Sequence, residues 1–532
     1  MKQLIIVNPV KNFFTEKITD ILTAKIDYVN IELPIKKESL NRYKESYNRR
    51  SRTINTSNKL TNILNLFINI NNTSINYDVL NIKTSNKTLS IDFTAIKAYY
   101  EYDNYSNIYA QIPLFFEDVN VIKIPKKVEV AVKHIPNKLL QEIHSDTSVA
   151  RELCLLFIMH LNSTYFTIID GTNPDGWKAL SAKYLRDFFT LNSGLYLKII
   201  DALEYKIKTG SILECDGIYI VGEKSYKYRL GEAYIGKGFT SYEVKTEKAI
   251  ALLNNFYINK IRDANHNIIC KNLIKFYSKV TLPTEQEILR EADRLIKSKY
   301  ITKKGKKLTK LNNQSKNYFK NPENRSFVED AVLIFKYLTD NGLMIPRIGG
   351  EASGGRAVDS FTLMPSWIRN LVKVNGKPFK ECDFNCLHPN ISMTLYGGNK
   401  RFLNHADLVE ELKIPLEIIK IEHLSFFNKE IWQMKKSPLY EYYNNYEPIM
   451  LKRIIKEKCN NKNKHKITSR RLFATEVNIM TDVIKQLNLN NIYVGYVYDA
   501  LFFDQKHGEY IKEIMDEVVQ KHGIYTVAKL SA

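Results

Sequence analysis

Two aspartates stand where packing alone explains a carboxylate poorly. Asp383 lies in Cys-Asp-Phe-Asn-Cys-Leu-His-Pro-Asn-Ile, at the end of a run that reads as a strand and just before a helix start. Asp499 is the one acid in Ile-Tyr-Val-Gly-Tyr-Val-Tyr-Asp-Ala-Leu-Phe-Phe, an alternating, aromatic run that reads as a β-hairpin. An acid in the middle of such a run is costly to bury unless it is paired or bound to a metal. Two carboxylates on separate β elements can face each other and bridge two divalent cations roughly 4 Å apart. One cation then activates an attacking hydroxyl, and the other neutralises a polyphosphate leaving group. Mg²⁺ suits this role, with Mn²⁺ as the substitute, because it takes few carboxylates and keeps water and phosphate as its other ligands. Each aspartate also has a plainer role open to it: Asp383 as the cap of the following helix, Asp499 as a residue of a tight turn.

The elements that must position this pair run from Gly349 to Asp504. In chain order they are Gly-Gly-Arg, ending at Arg356; the strand with Asp383, followed by His388; a helix with Lys420, and Asn428 two turns on and on nearly the same face; the helical run Arg470–Leu487, which contains Glu476; and the hairpin with Tyr498 and Asp499. In this order they resemble the palm and fingers of the A-family nucleic-acid polymerases, the bacterial polymerase I type, and of the related single-subunit phage-type RNA polymerases. The resemblance is closest to compact polymerase-like proteins of phages and mobile elements, and it spans residues 349–505.

The resemblance implies roles. Asp383 and Asp499 would be the catalytic metal ligands, with the backbone carbonyl of Phe384 as a further ligand. Arg356 would contact primer or incoming nucleotide, and His388 would lie under the sugar, where the family has Glu. Lys420 would bind the triphosphate, with Asn428 beside it, and Glu476 and Tyr498 would support the site from behind. The implied function is a template-directed nucleotidyltransferase, a DNA polymerase using two Mg²⁺ ions, a DNA (or RNA) template and primer, and nucleoside triphosphates. Residues 1–340 show no paired-acid exonuclease pattern, so proofreading is not expected. The sequence departs from the family at Tyr498-Asp499-Ala500, which replaces His-Asp-Glu or His-Asp-Ser, and at Leu416, where an Arg usually precedes the fingers lysine. His388 leaves sugar choice open, so an RNA-synthesising primase or RNA polymerase is the first alternative. A DNA-binding initiator or regulator with a degenerate palm is the second. Simpler roles also stay open: His388 as packing, Lys420 as a solvated cation, Arg356 as a loop residue, Asn428 and Glu476 as structural groups.

The chain as a whole reads as α+β and multidomain, since 532 residues are too many for one core. Residues 346–532 form the expected palm and fingers, with an antiparallel sheet. Residues 241–345 form a helical, basic, thumb-like region with a helix starting at Thr284. There Lys303, Lys304, Lys306 and Lys307 lie among aromatics, which suits a grip on a nucleic-acid backbone or a solvated loop. Residues 141–240 read as helix, helix, turn, helix and hairpin, a pattern that resembles a winged helix-turn-helix domain. Its helices are expected at Thr147–Asn162, Ser181–Thr190 and Leu195–Lys206, and its hairpin from Ile212–Val221 and Ser225–Leu230. Tyr196, Lys198, Lys224 and Lys227 would touch DNA there, unless the module serves only for packing. Residues 1–140 read as a β-containing domain of unknown role, with strand-like runs at Ile26–Leu33, Ser74–Ile82 and Asn120–Val132.

The net charge of +21 favours a polyanionic partner. A coding bias toward Lys, Asn, Ile and Tyr offers a second explanation of that charge. The six cysteines contain no Cys-x-x-Cys pair, which argues against a zinc ribbon and for reduced thiols. No apolar run is long enough for a membrane span, and the start has no clear signal-peptide pattern. A cytoplasmic protein without a membrane partner is expected, and a phage or plasmid origin fits the resemblance.

Overall fold

The computed structural model describes residues 26–30, 79–84, 88–92, 108, 111–112 and 114–116, and then 118–531 apart from 170–172, 190–193, 237, 303–304, 312–324, 341, 400 and 462–463. Two compact units divide the chain, 1–109 and 110–532. In the first, Ile26–Asn30, Val79–Thr84 and Thr88–Asp92 form an antiparallel sheet with Val79–Thr84 in the middle.

The second unit has a mixed α/β fold built on small, mostly antiparallel sheets. Its first strand, Val121–Pro125, pairs antiparallel with Phe239–Glu243, so Val121 lies opposite Glu243. The sequence reading carried the strand pattern on to Val132. Instead Lys127 turns the chain at φ 72°, and Val128–Val132 is a helix that buries Val128, Ala131 and Val132. Helical spacing of the apolar side chains overrides the alternation there.

Between those paired strands come the helix Thr147–Met159, the strand Lys178–Ala179, the helices Ala182–Phe188 and Leu195–Glu204, and the strands Leu213–Cys215 and Lys227–Leu230. Lys227–Leu230 lies between the other two strands, antiparallel to both. Asp146 caps the first helix by accepting from the Ser148 backbone N–H at 2.7 Å. Leu153, Phe157, Leu185, Ile199, Leu203 and Leu213 fill the space under this module.

A long helix, α1 (Glu247–His266), and then α2 (Ile268–Tyr277) follow. Buried Glu152 fixes the start of α1 by accepting from the backbone N–H groups of Lys245 and Thr246, both at 2.8 Å, and from the Thr246 and Tyr242 hydroxyls. The helix Glu285–Lys297 starts at Thr284 with a reciprocal capping box to Glu287.

The C-terminal part is built around four strands: β1 (Lys380–Phe384), β2 (Gly495–Val497), β3 (Ala500–Phe503) and β4 (Ala528–Leu530). Their order is β2-β3-β1-β4, antiparallel throughout. All four residues of β3 are buried, so the sheet is covered on both faces. On one side Phe361 and Phe379 meet Phe502 edge-on at 5.4 and 5.0 Å. Helix α3 (Leu387–Tyr396) follows β1, and α4 (Leu416–Phe426) comes after the short helix His405–Leu412. The 23-residue helix α5 (Ile467–Leu489) leads into β2, and α6 (Gly508–Lys521) packs on α5, β1 and β4. Among the described residues, no helix is long and apolar enough to cross a membrane.

Candidate active site

Strands β2 and β3 are joined by the shortest kind of hairpin. Val497 pairs with Ala500, which leaves Tyr498 and Asp499 as the two-residue turn. Tyr498 has a φ of 62°, a left-handed conformation that costs a residue with a Cβ about 1 kcal/mol. The approach to this turn is held firmly. Buried Asn272 of α2 donates to the Val494 carbonyl at 2.6 Å and accepts from the Val494 N–H at 3.0 Å. Gly495 lies so close to Phe276 that a Cβ there would stand 2.8 Å from the ring. The neighbouring strand brings the second acid. In β1, Asp383 lies opposite Ala500, the residue next to Asp499. The chain just past Phe384 is pinned to the segment before β4, where the Asn385 N–H donates to the Val527 carbonyl at 3.0 Å and the Thr526 hydroxyl donates to the Asn385 carbonyl.

Beside Asp499 lies a buried ionic cluster. Glu476, in the middle of α5, is fully buried. Arg356 donates to it through two nitrogens, with Nε at 2.8 Å from Oε1 and Nη2 bonded to Oε2. His388, in the first turn of α3, sits with Nε2 at 2.7 Å from Glu476 Oε2. A proton on Nε2 satisfies that contact, with Glu476 as acceptor. The Arg356 guanidinium is also stacked between two rings, 3.8 Å from the centre of Phe473 and 4.4 Å from that of Tyr498. The strained turn residue is thus one wall of the arginine slot.

Gly354 explains how Arg356 gets there. It adopts φ +64°, and a Cβ would stand 2.5 Å from the Ala474 backbone nitrogen and from Phe473 Cβ. Only a glycine lets the Gly-Gly-Arg loop touch α5 this closely. The loop is closed by the Gly349 N–H donating to the Arg356 carbonyl at 2.8 Å, within the hairpin of Arg347–Ile348 and Ala357–Val358.

The charges interact strongly. Burial pushes the Asp499 carboxyl up to about 6, the negative charge of Glu476 adds to the rise, and His388 and Arg356 limit it. Burial would also push Glu476 up, but the hydrogen bond and charge of His388 and the Arg356 pair hold it below its ordinary value. Burial works against the Arg356 cation, yet Glu476, with help from Asp499, keeps it above its usual value. The Tyr496 hydroxyl, buried beside Glu476 and Asp499, has no hydrogen-bond partner among the described residues.

Five of the expected residues therefore meet, Arg356, His388, Glu476, Tyr498 and Asp499, and Asp383 lies on the neighbouring strand opposite Ala500. Phe384 ends β1, directly after Asp383. Lys420 is exposed on α4; its charge helps burial to bring His405 down to about 4 and acts on the Cys386 thiol at the start of α3. Asn428 corrects the sequence reading. Helix α4 ends at Phe426, so Asn428 lies beyond it and accepts from the Ser469 hydroxyl at 3.0 Å instead of continuing the face of Lys420. A new turn towards the Glu430-capped helix Ile431–Met434 interrupts the helical run.

Away from this site, Lys198 is exposed and Tyr196 half-buried on the helix Leu195–Glu204, while Lys224 and Lys227 are half-buried on the hairpin that follows. Lys306 follows the turn at Gly305 and Lys307 opens the strand Lys307–Thr309, while Lys303 and Lys304 lie outside the described residues. Sequence reading missed Phe473 and Tyr496. Phe473 precedes Glu476 by three residues, so it shares that face of α5, a signal that was present. Tyr496 was hidden in the general aromatic richness of its strand. No family model matches the chain, and no curated protein is significantly similar to it.

Proposed function

We propose that the chain is a template-directed nucleotidyltransferase, a DNA polymerase of the A-family type without a proofreading site. The observation that carries this reading is the register that sets Asp383 opposite Ala500, next to Asp499 in the β2–β3 turn, with the Arg356–Glu476–His388 cluster beside Asp499. The donor set fits a hard divalent cation. It offers carboxylate and carbonyl oxygen, and the nearby imidazole nitrogen is already engaged by Glu476. Burial and Glu476 both disfavour the Asp499 anion, and a cation would offset both. Two Mg²⁺ ions held by Asp383, Asp499 and the Phe384 carbonyl would favour the ionised primer hydroxyl and neutralise the triphosphate.

In the reaction the 3′-oxygen bonds to the α-phosphorus of the incoming nucleotide, the α–β phosphoanhydride bond breaks, and pyrophosphate leaves. Arg356 has five N–H donors; two are on Glu476, and Nη2 also lies 3.2 Å from His388 Nε2. The remainder are held by the two rings at a fixed angle, ready for a phosphate or sugar oxygen without reorganisation. His388 is set beside Arg356 to border the sugar. Lys420 meets the triphosphate as an exposed cation on α4. The module of residues 147–230 has the helix, strand and hairpin order of a winged helix, and Tyr196, Lys198, Lys224 and Lys227 contact duplex phosphates.

Primer extension tests the reading. Wild-type protein with a primer–template, Mg²⁺ and dNTPs should extend the primer, and Asp383→Asn and Asp499→Asn should each lose activity by a factor on the order of 10³. Undiminished extension by both variants sinks the assignment. Replacing dNTPs with NTPs decides whether the product is DNA or RNA. Leu416 in place of the expected arginine, and Tyr498-Asp499-Ala500 in place of the family's last motif, favour a second reading, a duplex-binding regulator with a degenerate palm. That reading predicts tight duplex binding with no Mg²⁺-dependent synthesis.

A further inference from the structure

A second site lies away from the aspartates. Helix α1, the helix Ala182–Phe188 and the segment Ile345–Ile348 enclose a cleft of about 440 Å³. That is far more room than one water or one inorganic ion needs. Lys260 and Arg347 line it. The Lys260 ammonium lies 4.0 Å from the centre of the Phe256 ring. Neither cation forms an ion pair among the described residues. Lys178 adds a third positive charge behind them, its amine bonded to the His160 carbonyl at 2.5 Å and to the Ser163 hydroxyl at 2.8 Å, both neutral acceptors. His160 is buried as well, with Nδ1 bonded to the Tyr184 hydroxyl at 2.9 Å and Nε2 without a hydrogen-bond partner among the described residues.

Cations gathered this way repel one another. Burial, Arg347 and Lys178 together push the Lys260 amine down to about 7, and burial with Arg347 brings Lys178 down to about 8. Burial, Lys260 and Lys178 likewise hold the His160 imidazole well below its ordinary value. Two carboxylates, Asp187 and Asp263, also line the cleft, but both are exposed and neither pairs with Lys260 or Arg347. An anion entering the cleft would convert this repulsion into attraction at Lys260 and Arg347 together.

The chemistry of the walls narrows the choice of anion. Phe256, Phe188 and Tyr184 give the cleft aromatic sides, which suit a base next to a phosphate. The cleft is also linked to the candidate active site. Arg347 lies on one arm of the short hairpin whose other arm, Ala357–Val358, follows Arg356 directly. From these observations we infer that the Lys260–Arg347 cleft is a subsite for a phosphate group of a nucleic-acid strand whose neighbouring nucleotides run along that hairpin toward Arg356. The inference rests on the nucleic-acid reading above but not on catalysis.

The test is binding of a fluorescently labelled single-stranded oligonucleotide, followed by anisotropy in EDTA so that no synthesis takes part. Lys260→Met keeps the stem and removes the charge, and Arg347→Ala removes the second cation. Each should weaken binding roughly tenfold and lower the salt dependence by about one phosphate contact. Lys138→Ala, an exposed lysine outside the cleft, should leave it unchanged. The thermal midpoint of Lys260→Met should hold or rise, because an unpaired cation has been removed. Affinity of the wild type should fall as pH rises past about 7, and that fall should be absent in Lys260→Met. Unchanged affinity in a folded Lys260→Met protein overturns the inference. Inorganic phosphate and a nucleoside triphosphate serve as competitors. If either displaces the oligonucleotide from wild type at micromolar concentration, with the effect lost in Lys260→Met, the cleft takes a free phosphate compound and the strand assignment fails. Failure of primer extension alone would leave this binding result standing.

Discussion

Glu476 is the charge around which the candidate site is organised, because it pairs with both Arg356 and His388. Truncating it leaves a buried guanidinium without its partner, so Glu476→Ala should lose roughly 3–5 kcal/mol in urea unfolding. Its carboxyl lies below the ordinary value in the folded state, so its contribution is complete above the unfolded pKa near 4.3 and is lost as pH falls through the folded one. Asp499 has the opposite sign. Its folded value is about 6 against roughly 3.9 unfolded, so stability declines as pH rises from about 4 to 6 and stays lower above. Asp499→Asn should therefore raise the thermal midpoint by a few degrees at pH 7 in EDTA. Mg²⁺ should raise the midpoint of the wild type and not that of the variant. Equal responses of the two proteins to Mg²⁺ would remove Asp499 from the cation site.

At the scale of elements, the contact between the Gly-Gly-Arg loop and α5 sets where Arg356 points. Gly354→Ala forces the loop away from the Ala474 backbone and should cut primer extension at least tenfold, while far-ultraviolet circular dichroism stays unchanged. The strand with Asp383, the hairpin with Asp499 and the helix with Glu476 were all readable in the sequence, because each has one strong period and clear breakers at its ends. What local pattern could not supply was the partner. Nothing in Gly-Gly-Arg says that its arginine reaches a glutamate 120 residues later. Helix α4 shows the converse failure. A spacing of eight suggested one continuous helix face for Lys420 and Asn428, but the chain turns at Phe427 before reaching Asn428. Likewise Val128–Val132 alternates like a strand, and burial of its helical face decides otherwise.

For the whole molecule, a first domain ending at residue 140 was a natural reading of composition. Pairing of Val121–Pro125 with Phe239–Glu243 instead ties residues 121–125 to the second unit, and a partner 122 residues distant leaves no trace in local sequence. That same pairing has a kinetic consequence. A ribbon between two such remote segments is slow to form from an open chain, because the loop must close before any contact repays the lost entropy. The elements between them pack largely on one another, and once folded they bring the two ends together and shorten the effective loop. The order of events should be visible with single-tryptophan variants. Trp177, under the Arg229 guanidinium at 4.6 Å, should reach its native fluorescence before Trp367, which is buried in the C-terminal part. Leu153→Ala, which weakens the module's core, should slow the Trp367 phase as well as the Trp177 phase. The sequence between residues 126 and 238 would then act as an internal chaperone for the chain on either side of it.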